Sequence, residues 1–409
     1  MHYYFIGSTD KDSLTYRCNE LMNFSLTLTD GCTTVPCHHF QWHSEGDDGC
    51  IRDGSCTGED GVCKIETSVS VPGFVHLTVM AFDDQGNPLA GCDPFNGGAG
   101  AQIEEIKAGY PEPEDFDDFW KYNLSLLDTM GPYVLEMIEQ PCHDFDDACR
   151  LYDVKLYAGD SKMLNGTPQN RFGWPVSGYV SIPKGVEEGK TYPIRMHFMG
   201  YSYTGATPAT DPECIVCLFN PHGLENGLSQ HVYDQQQRET VGQFGFLNES
   251  NHSPHTVYFK GMIMRNIQTL RWAKTIKGWN GIDLTVHGES MGAFQSCSVA
   301  ALCPEVTELH IDVPWMCDLG GITLGRLRGW RPDFEENGKI LEGIRYYDTC
   351  SFASRVTCPV YVSAGLGDYV CPPSGVTAMY NGIKTNKSIT WTQNRTHGYE
   401  APSAEKYVR

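Results

Sequence analysis

Short runs of alternating hydrophobic and polar residues characterise the first hundred positions of the chain. Apolar side chains occupy every second position in residues 24–28 and through much of residues 74–82, and clusters of glycine and aspartate separate such runs. A period of two with turn residues at regular spacing predicts strands. We therefore expect residues 1–107 to form a small antiparallel β-sandwich of the immunoglobulin-like type.

The pattern changes at a proline-rich acidic stretch, residues 108–115, after which Phe116, Phe119, Trp120 and Leu124 recur at helical spacing. Later segments alternate between apolar strands and a further helix: residues 194–199, 214–219, 282–286, 360–364 and 389–392 for the strands, and residues 262–276 for the helix. This alternation predicts an α/β domain with a mostly parallel, doubly wound sheet that helices cover on both faces. We place this domain at residues 108–409 and expect its ligand site at the carboxyl ends of the strands.

A serine lies between two glycines directly after one of these predicted strands. The sequence Gly288-Glu289-Ser290-Met291-Gly292 precedes small and apolar residues that suit a helix. The glycines permit the sharp strand-to-helix turn, the nucleophile elbow, that lifts a serine hydroxyl above a sheet. The five letters alone are a weak signal, which the flanking strand and helix strengthen. They predict an α/β-hydrolase fold with Ser290 as nucleophile.

A nucleophilic serine needs a base and a group that orients the base, and two downstream residues give the order serine, acid, histidine. Asp368 follows the strand at residues 360–364, and His397 follows the strand at residues 389–392. Either residue alone has an ordinary interpretation, as an Asx-turn aspartate or a surface-loop histidine. Their order and their positions at strand ends favour a catalytic triad with Ser290.

The tetrahedral intermediate of such a reaction needs two N–H donors. The residue after the nucleophile, Met291, supplies the first. Tyr201, which follows Gly200 at the end of residues 197–201 (HFMGY), is the candidate for the second. A packed aromatic is the alternative interpretation of Tyr201, because a backbone donor leaves no side-chain signature.

Several segments together resemble the acetyl xylan esterase and cephalosporin-C deacetylase family, carbohydrate esterase family seven. The likeness spans roughly residues 110–405. It lies in residues 113–120 (PEDFDDFW), residues 197–201, the serine elbow and, most closely, residues 365–374 (GLGDYVCPPS). The resemblance implies an α/β-hydrolase that removes acetyl groups from sugars.

The resemblance also implies that Ser290, Asp368 and His397 form the triad and that Tyr201 and Met291 supply the oxyanion-hole N–H groups. In this fold the stretch after the fourth core strand often lines the acyl pocket. Trp315, in residues 313–318, is therefore a candidate substrate-binding residue, and a core tryptophan is the alternative.

The chain departs from the family pattern in three places. Residues 220–223 (NPHG) replace the family's Arg-Gly-Gln, and two residues separate His397 from Glu400 where the family has an adjacent His-Glu pair. An amino-terminal segment of about a hundred residues is also added. These departures leave open whether the family's acetyl specificity and ring-shaped hexamer extend to this chain. A homo-oligomer and a monomer are both open for it.

Charge narrows the range of partners. Acidic residues outnumber basic ones by 51 to 30, which gives a formal net charge of -21 and no basic run that could follow a phosphate backbone. No stretch reaches the roughly 18 apolar residues that cross a bilayer. We expect neither nucleic acid nor a membrane as a partner.

Cysteine usage and the first residues bear on metals and compartment. Only Cys214 and Cys217, among 17 cysteines, have the tight spacing of structural zinc ligands, and they lie in an apolar run that predicts a buried strand. We therefore predict free thiols, with disulfides as the alternative, and no metal. The first six residues lack a signal-peptide pattern. The cysteines, predicted to be free thiols, favour a cytoplasmic protein, and secretion after signal-peptide removal is the alternative.

The combined prediction is a serine carbohydrate esterase that needs no cofactor. It removes acetyl groups from acetylated oligosaccharides, or from another small ester, through an acyl-enzyme intermediate. One alternative keeps the triad but acts on a different acyl ester or a peptide, since one fold hosts many chemistries. Another is a catalytically inactive carbohydrate-binding protein, against which the filled triad positions argue.

Overall fold

A computed structural model describes residues 2–37, 39–58, 61–131, 133–141, 148–157, 175–238 and 248–409 of the chain. The described strands of the amino-terminal part are β1 (Tyr4–Thr9), β2 (Met22–Thr29), β3 (His39–Gly46), β4 (Ile51–Thr57), β5 (Val62–Thr67), β6 (Gly73–Phe82) and β7 (Phe95–Ala101). They form two antiparallel sheets, ordered β1-β2-β5 and β4-β3-β6-β7.

The apolar faces of these two sheets share one hydrophobic core. Phe24 and Leu26 on β2 and Val75 and Leu77 on β6 are all buried in it. Alternate residues point inward because side chains on a strand alternate between its faces, and each fully buried one contributes about 1.5–3 kcal/mol. The predicted strands in this part are confirmed, and the immunoglobulin-like assignment and the boundary at residue 107 stay predictions.

The remaining strands are β8 (Tyr133–Gln140), β9 (Cys149–Tyr157), β10 (Val176–Pro183), β11 (Tyr192–Phe198), β12 (Ile215–Phe219), β13 (Trp279–Glu289), β14 (Glu308–Asp312), β15 (Glu335–Glu336), β16 (Lys339–Ile340), β17 (Val360–Gly365), β18 (Lys387–Thr392) and β19 (Lys406–Val408). The described α-helices are α1 (Phe116–Asp128), α2 (Gln230–Gln236), α3 (Tyr258–Ala273), α4 (Met291–Leu302), α5 (Thr349–Ala353) and α6 (Pro373–Gly382). No described helix is long and apolar enough to span a bilayer.

A ten-stranded sheet organises this second part, in the order β19-β18-β17-β14-β13-β11-β12-β10-β9-β8. The six strands from β12 to β18 run parallel, which confirms the predicted mixed α/β fold with a mostly parallel sheet. Strands β8, β9, β10 and β19 add antiparallel edges that the sequence pattern did not predict. The chain leaves β11 toward β12 on one side and returns to β13 on the other. Ligands bind at such a topological switch point.

Helices cover one face of the parallel strands. Buried residues of α1, α3, α4 and α6 share a single core with Ile194 and Met196 on β11 and Leu284 and Val286 on β13. Because side chains alternate along a strand, the residues between these core positions point to the opposite face. The sheet is therefore buried on its helical side.

The opposite face carries a row of stacked rings. His197, His287, His310 and Tyr361 lie on neighbouring strands with successive ring centroids 4.9, 4.5 and 4.7 Å apart. Strand residues line a cavity of about 680 Å³ in front of this row. For this central part of the sheet, the described residues do not bear out the prediction of helices on both faces. No described helix lies against it, and half-exposed polar side chains replace the apolar ones that a helix would cover.

Candidate active site

Ser290 occupies a strained backbone position between β13 and α4. Its φ and ψ are 56° and -120°, a conformation that a non-glycine residue adopts at a cost of about 1–3 kcal/mol. The Ser290 N–H donates to the carbonyl of Asp312 at 3.0 Å, and the Ser290 carbonyl accepts from Ala293 at 3.0 Å and from Trp315 at 3.3 Å. The predicted strand-turn-helix geometry is thus present, and the surrounding backbone holds the strain in place.

The glycines around the serine allow close backbone approach. A Cβ atom on Gly292 would lie 2.0 Å from the carbonyl oxygen of Phe198, and one on Gly288 would lie 2.1 Å from the carbonyl oxygen of Gly292. No side chain fits at either distance. Helix α4 can therefore begin directly against the end of β11 only because these positions are glycine.

We expect Gly292→Ala to destabilise the protein by about 1–3 kcal/mol, because the added methyl group forces the start of α4 away from β11. The hydroxyl of Ser290 would move with it. Urea unfolding measures the loss of stability. Gly131→Ala is the matched control, since a Cβ atom there meets nothing within 4 Å. Equal unfolding midpoints for the two variants would contradict this steric argument.

Ser290, His397 and Asp368 form a continuous chain of hydrogen bonds. His397 Nε2 lies 2.9 Å from Ser290 Oγ, and His397 Nδ1 lies 3.0 Å from Asp368 Oδ2. An ionised carboxylate only accepts hydrogen bonds, so Nδ1 carries the proton and Nε2 is free to accept from the serine. Three residues from distant parts of the sequence thus meet in the order that nucleophilic catalysis requires.

The acid is buried and fixed. Asp368 is 1% exposed, and its Oδ1 accepts hydrogen bonds from the N–H groups of Val370 at 2.8 Å and Cys371 at 2.9 Å. The Asx-turn interpretation of Asp368 is therefore correct for one oxygen, while the other oxygen faces His397. The same turn that orients the carboxylate leaves Oδ2 for the imidazole.

Charges around His397 raise its pKa. Burial alone lowers the pKa of the imidazole, but the hydrogen bond and negative charge of Asp368, with the charges of Glu289 and Asp312, outweigh burial. Arg395, two residues before the histidine, donates to both carboxylate oxygens of Asp312 at 2.8 and 2.7 Å. These contacts tie the histidine loop to the end of β14.

Glu400 does not pair with His397. Its carboxylate lies 2.8 Å from Lys406 and 3.6 Å from Arg395. Glu400, which two residues separate from His397 in the sequence, thus pairs with Lys406 and Arg395 and not with the histidine.

The two predicted oxyanion donors lie beside Ser290. Met291 is the first residue of α4, so its N–H has no acceptor within the helix. A Cβ atom on Gly200 would lie 3.8 Å from Ser290 Cβ, which brings the backbone just before Tyr201 into contact with the serine. The placement agrees with the predicted donors, whose function stays a prediction.

Residues 220–223 support this side of the site through Tyr203. The ring of His222 stacks on Tyr203 with centroids 4.9 Å apart and planes 8° apart. Tyr201 Oη donates to Tyr203 Oη at 2.7 Å. The segment that replaces the Arg-Gly-Gln motif therefore supports Tyr201 through an aromatic stack.

Trp315 is buried in a strained loop next to Ser290. Its indole packs between Phe259 and Phe294, and its Nε1 donates to the carbonyl of Trp330 at 2.8 Å. Val313 in the same loop has a φ of 39°, which a β-branched residue rarely adopts. These contacts agree with the core-tryptophan alternative, and contact of Trp315 with substrate stays a prediction.

The structure adds Trp330 to the site, a residue that sequence reasoning missed. Its side chain is 54% exposed and its ring packs against Tyr201 with centroids 5.5 Å apart. The Trp330 N–H donates to the carbonyl of Val370, next to the exposed Tyr369. No local motif surrounds Trp330, because the contacts that bring it to the site come from the loops after β11 and β17.

One group of side chains could hold a cation. Single ligand atoms of Asp368, Cys371 and His397 lie within 4.8 Å of one another, and among the described residues no other such group of three occurs. Asp368 and His397 already bond to each other. An ion there would compete with the hydrogen bond that orients the histidine.

Comparisons with known proteins identify the family of this chain. Residues 100–408 match the model of the acetyl xylan esterase (AXE1) family. Acetyl esterase Axe7A of Xylanibacter ruminicola is 27% identical over 334 residues, which cover 76% of this chain and 71% of that protein.

Two solved structures share the fold. Acetyl xylan esterase 1 from Thermoanaerobacterium sp. JW/SL YS485 has a TM-score of 0.56 at 21% identity and covers 73% of this chain and 93% of its own. Acetyl xylan esterase from Paenibacillus sp. R4 has a TM-score of 0.55 at 17% identity and covers 73% and 94%. The family match extends over most of the chain and includes every residue of the candidate site. The chain therefore belongs to the acetyl xylan esterase family and is a carboxylic ester hydrolase.

Proposed function

We propose that this protein removes acetyl groups from acetylated xylo-oligosaccharides through a covalent acetyl-serine intermediate. The observation that carries the proposal is the hydrogen-bond chain from Ser290 through His397 to Asp368, in a member of the acetyl xylan esterase family. The named relatives act on acetyl esters or acetyl xylan, which supports the same substrate class here.

In the first half of the reaction His397 Nε2 takes the proton from Ser290 Oγ as the oxygen attacks the ester carbonyl. The N–H groups of Met291 and Tyr201 stabilise the oxyanion of the tetrahedral intermediate. As the bond between the acyl carbon and the sugar oxygen breaks, His397 gives its proton to that oxygen, and the sugar leaves with a free hydroxyl. In the second half water repeats these steps on the acetyl-serine and releases acetate. Asp368 keeps the imidazole in the reactive tautomer and stabilises its protonated form.

Exposed aromatic rings near the site favour a sugar as the leaving group. Tyr201, Trp330 and Tyr369 are 41%, 54% and 57% exposed. Aromatic faces offer apolar area that the C–H face of a pyranose ring covers, while their polar atoms stay in water. We assign this rim to the sugar side of the ester.

A substrate panel tests the proposal. We expect acetate release from acetylated xylo-oligosaccharides, and hydrolysis of p-nitrophenyl acetate faster than that of the octanoate ester by about tenfold or more. The butyrate ester should fall between them. Fastest turnover of the octanoate ester would favour a different acyl donor. Binding of xylo-oligosaccharides in calorimetry without any ester hydrolysis would favour an inactive carbohydrate-binding protein.

The pH dependence should follow His397. His397 works as a base only when its imidazole is neutral. Because its pKa is raised, the imidazole stays protonated, and the enzyme inactive, up to a higher pH than it would with an ordinary histidine. We therefore expect kcat/KM for p-nitrophenyl acetate to fall as the pH drops through a pKa that lies above the ordinary value for histidine. A profile measured at constant ionic strength checks this. Full activity persisting down to pH 5 would contradict it.

A further inference from the structure

We propose that the amino-terminal strands hold the loops of Asp368 and His397 in their reactive geometry, so that the first hundred residues position the triad. This inference rests on the proposed function of those residues. The main contact comes from β7, whose sequence contains three glycines in FNGGAGA. It lies against the loops that follow β17 and β18.

Gln393, the residue after β18, binds β7 with its side chain. It is fully buried. Its Oε1 accepts from the Gly98 N–H at 2.9 Å, and its Nε2 donates to the Gly98 carbonyl at 2.8 Å and to Ser13 Oγ at 3.2 Å. The amide therefore bonds to β7 as a neighbouring strand would, and it fixes the start of the histidine loop.

Asn394 makes a second pair of bonds three residues before His397. Its Oδ1 accepts from the Asn96 N–H at 2.9 Å, and its Nδ2 donates to the Phe5 carbonyl at 3.0 Å. Its φ is 49°, a left-handed conformation that asparagine tolerates better than most residues. The side chain and the backbone thus turn the loop toward Ser290 together.

The acid loop touches the same strand. A Cβ atom on Gly367 would lie 1.9 Å from the Asn96 carbonyl oxygen, and one on Gly98 would lie 2.8 Å from the Leu366 carbonyl oxygen. The Gly367 N–H also donates to the carbonyl of Arg395 at 3.0 Å, which links the two loops. Glycines on both sides permit this contact, so one strand sets the separation of the acid and the histidine.

Buried contacts keep β7 from shifting. Phe74 on the neighbouring β6 lies in the core of the second part, with its ring centroid 5.6 Å from that of Trp391 on β18. Buried Asp47 accepts from Ser374 Oγ at 3.1 Å, just after the acid loop. The amino-terminal sheets therefore meet the hydrolase part through packed and hydrogen-bonded contacts.

Catalysis is sensitive to small displacements of such loops. A misplacement of about 1 Å costs on the order of a hundredfold in rate. Removal of the Gln393 or Asn394 side-chain bonds lets the histidine loop move while the rest of the site stays intact. The expected loss is in kcat, because neither side chain belongs to the substrate-binding surface proposed above.

The test compares Gln393→Ala and Asn394→Gly with Asn381→Ala. Glycine at 394 removes the side-chain bonds and tolerates the left-handed backbone. Asn381 is the matched control. Its Nδ2 donates to the carbonyls of Ile103 and Ile106 at 2.8 and 2.9 Å. These two hydrogen bonds also join the amino-terminal part to the hydrolase part, but they lie away from the loops of Asp368 and His397. Asn394→Asp keeps the acceptor for Asn96 and serves as the conservative variant.

We expect kcat for p-nitrophenyl acetate to fall about 10-fold to 100-fold in Gln393→Ala and Asn394→Gly with KM nearly unchanged. Asn381→Ala should keep its kcat despite a similar fall in unfolding midpoint, and Asn394→Asp should recover part of the loss. The acid limb of the pH profile should move to lower pH in the two affected variants, because His397 loses part of its bond to Asp368.

Proton NMR separates this inference from the proposed function. The Nδ1 proton of His397, bonded to Asp368, should give a low-field resonance that the Gln393 and Asn394 variants weaken or shift and Asn381→Ala preserves. An unchanged resonance with unchanged kcat, or kcat losses that follow stability in all variants including Asn381→Ala, would overturn the positioning role. If Ser290→Ala were as active as the parent protein, the proposed function would be wrong. The resonance of the His397 Nδ1 proton would still report the position of the histidine loop.

Discussion

Replacing Ser290 by alanine is expected to lower kcat/KM for p-nitrophenyl acetate by about 10⁴-fold to 10⁶-fold, as loss of the nucleophile does in other serine hydrolases. Alanine leaves His397 without a hydroxyl to deprotonate, so no acetyl-enzyme forms. The remaining rate should come from water in a site that still contains the oxyanion donors. Steady-state assays of the purified variant measure the loss, and an alkyl phosphonate that labels the parent protein should leave the variant unlabelled.

Ser298→Ala is the matched control for this experiment. Ser298 is buried in the same helix, and its Oγ donates to the carbonyl of Phe294 at 2.8 Å, away from the histidine. Its activity should stay within a few-fold of the parent protein. If Ser290→Ala retained a tenth or more of the activity, the assignment of Ser290 as nucleophile would be wrong even though the family assignment stands.

Replacing Asp368 by asparagine is expected to lower kcat by about 10⁴-fold while the fold remains intact. The asparagine oxygen can still accept from Val370 and Cys371, which preserves the turn. Its NH₂ group would face His397 Nδ1 and donate to it, which places the imidazole proton on Nε2. The histidine would then present a donor to Ser290 and could not remove the serine proton.

Asp30→Asn supplies the comparison for that variant. Asp30 Oδ1 also accepts two backbone N–H bonds, from Cys32 at 2.9 Å and Thr33 at 2.8 Å, but in an exposed turn of the amino-terminal part. The Asp30→Asn variant should have the same activity and the same unfolding midpoint as the parent protein. A loss of less than tenfold in Asp368→Asn, measured on protein with a normal unfolding curve, would show that the carboxylate does not set the tautomer.

The contacts around residues 220–223 bear on how this chain differs from its family. The stack of His222 on Tyr203 supports Tyr201 where an arginine motif is expected. Aromatic stacking of this kind stabilises by about 0.5–1.5 kcal/mol beyond area burial. These contacts hold Tyr201 through side chains other than those of the family's Arg-Gly-Gln motif.

Local patterns were sufficient for the parts of the site that depend on short stretches of chain. The elbow at Ser290 was predictable because a strand, two glycines and a helix within about ten residues allow few backbone paths. Asp368 and His397 were predictable because each follows an apolar strand and the chain order restricts the choice. The alternating runs in the first hundred residues identified strands for the same reason, since side-chain period reflects backbone geometry.

Tertiary structure alone decided the contacts between distant segments. Gln393 and Asn394 bond to residues about 300 positions away, and Trp330 reaches the site through packing against Tyr201. Such pairs leave no periodic signal, because their residue types suit many exposed loops equally well. The antiparallel edge strands and the row of histidines on the second sheet face escaped prediction likewise. Strand pairing and the covering of a face depend on which surfaces meet when the whole chain packs, and no local stretch of sequence contains that information.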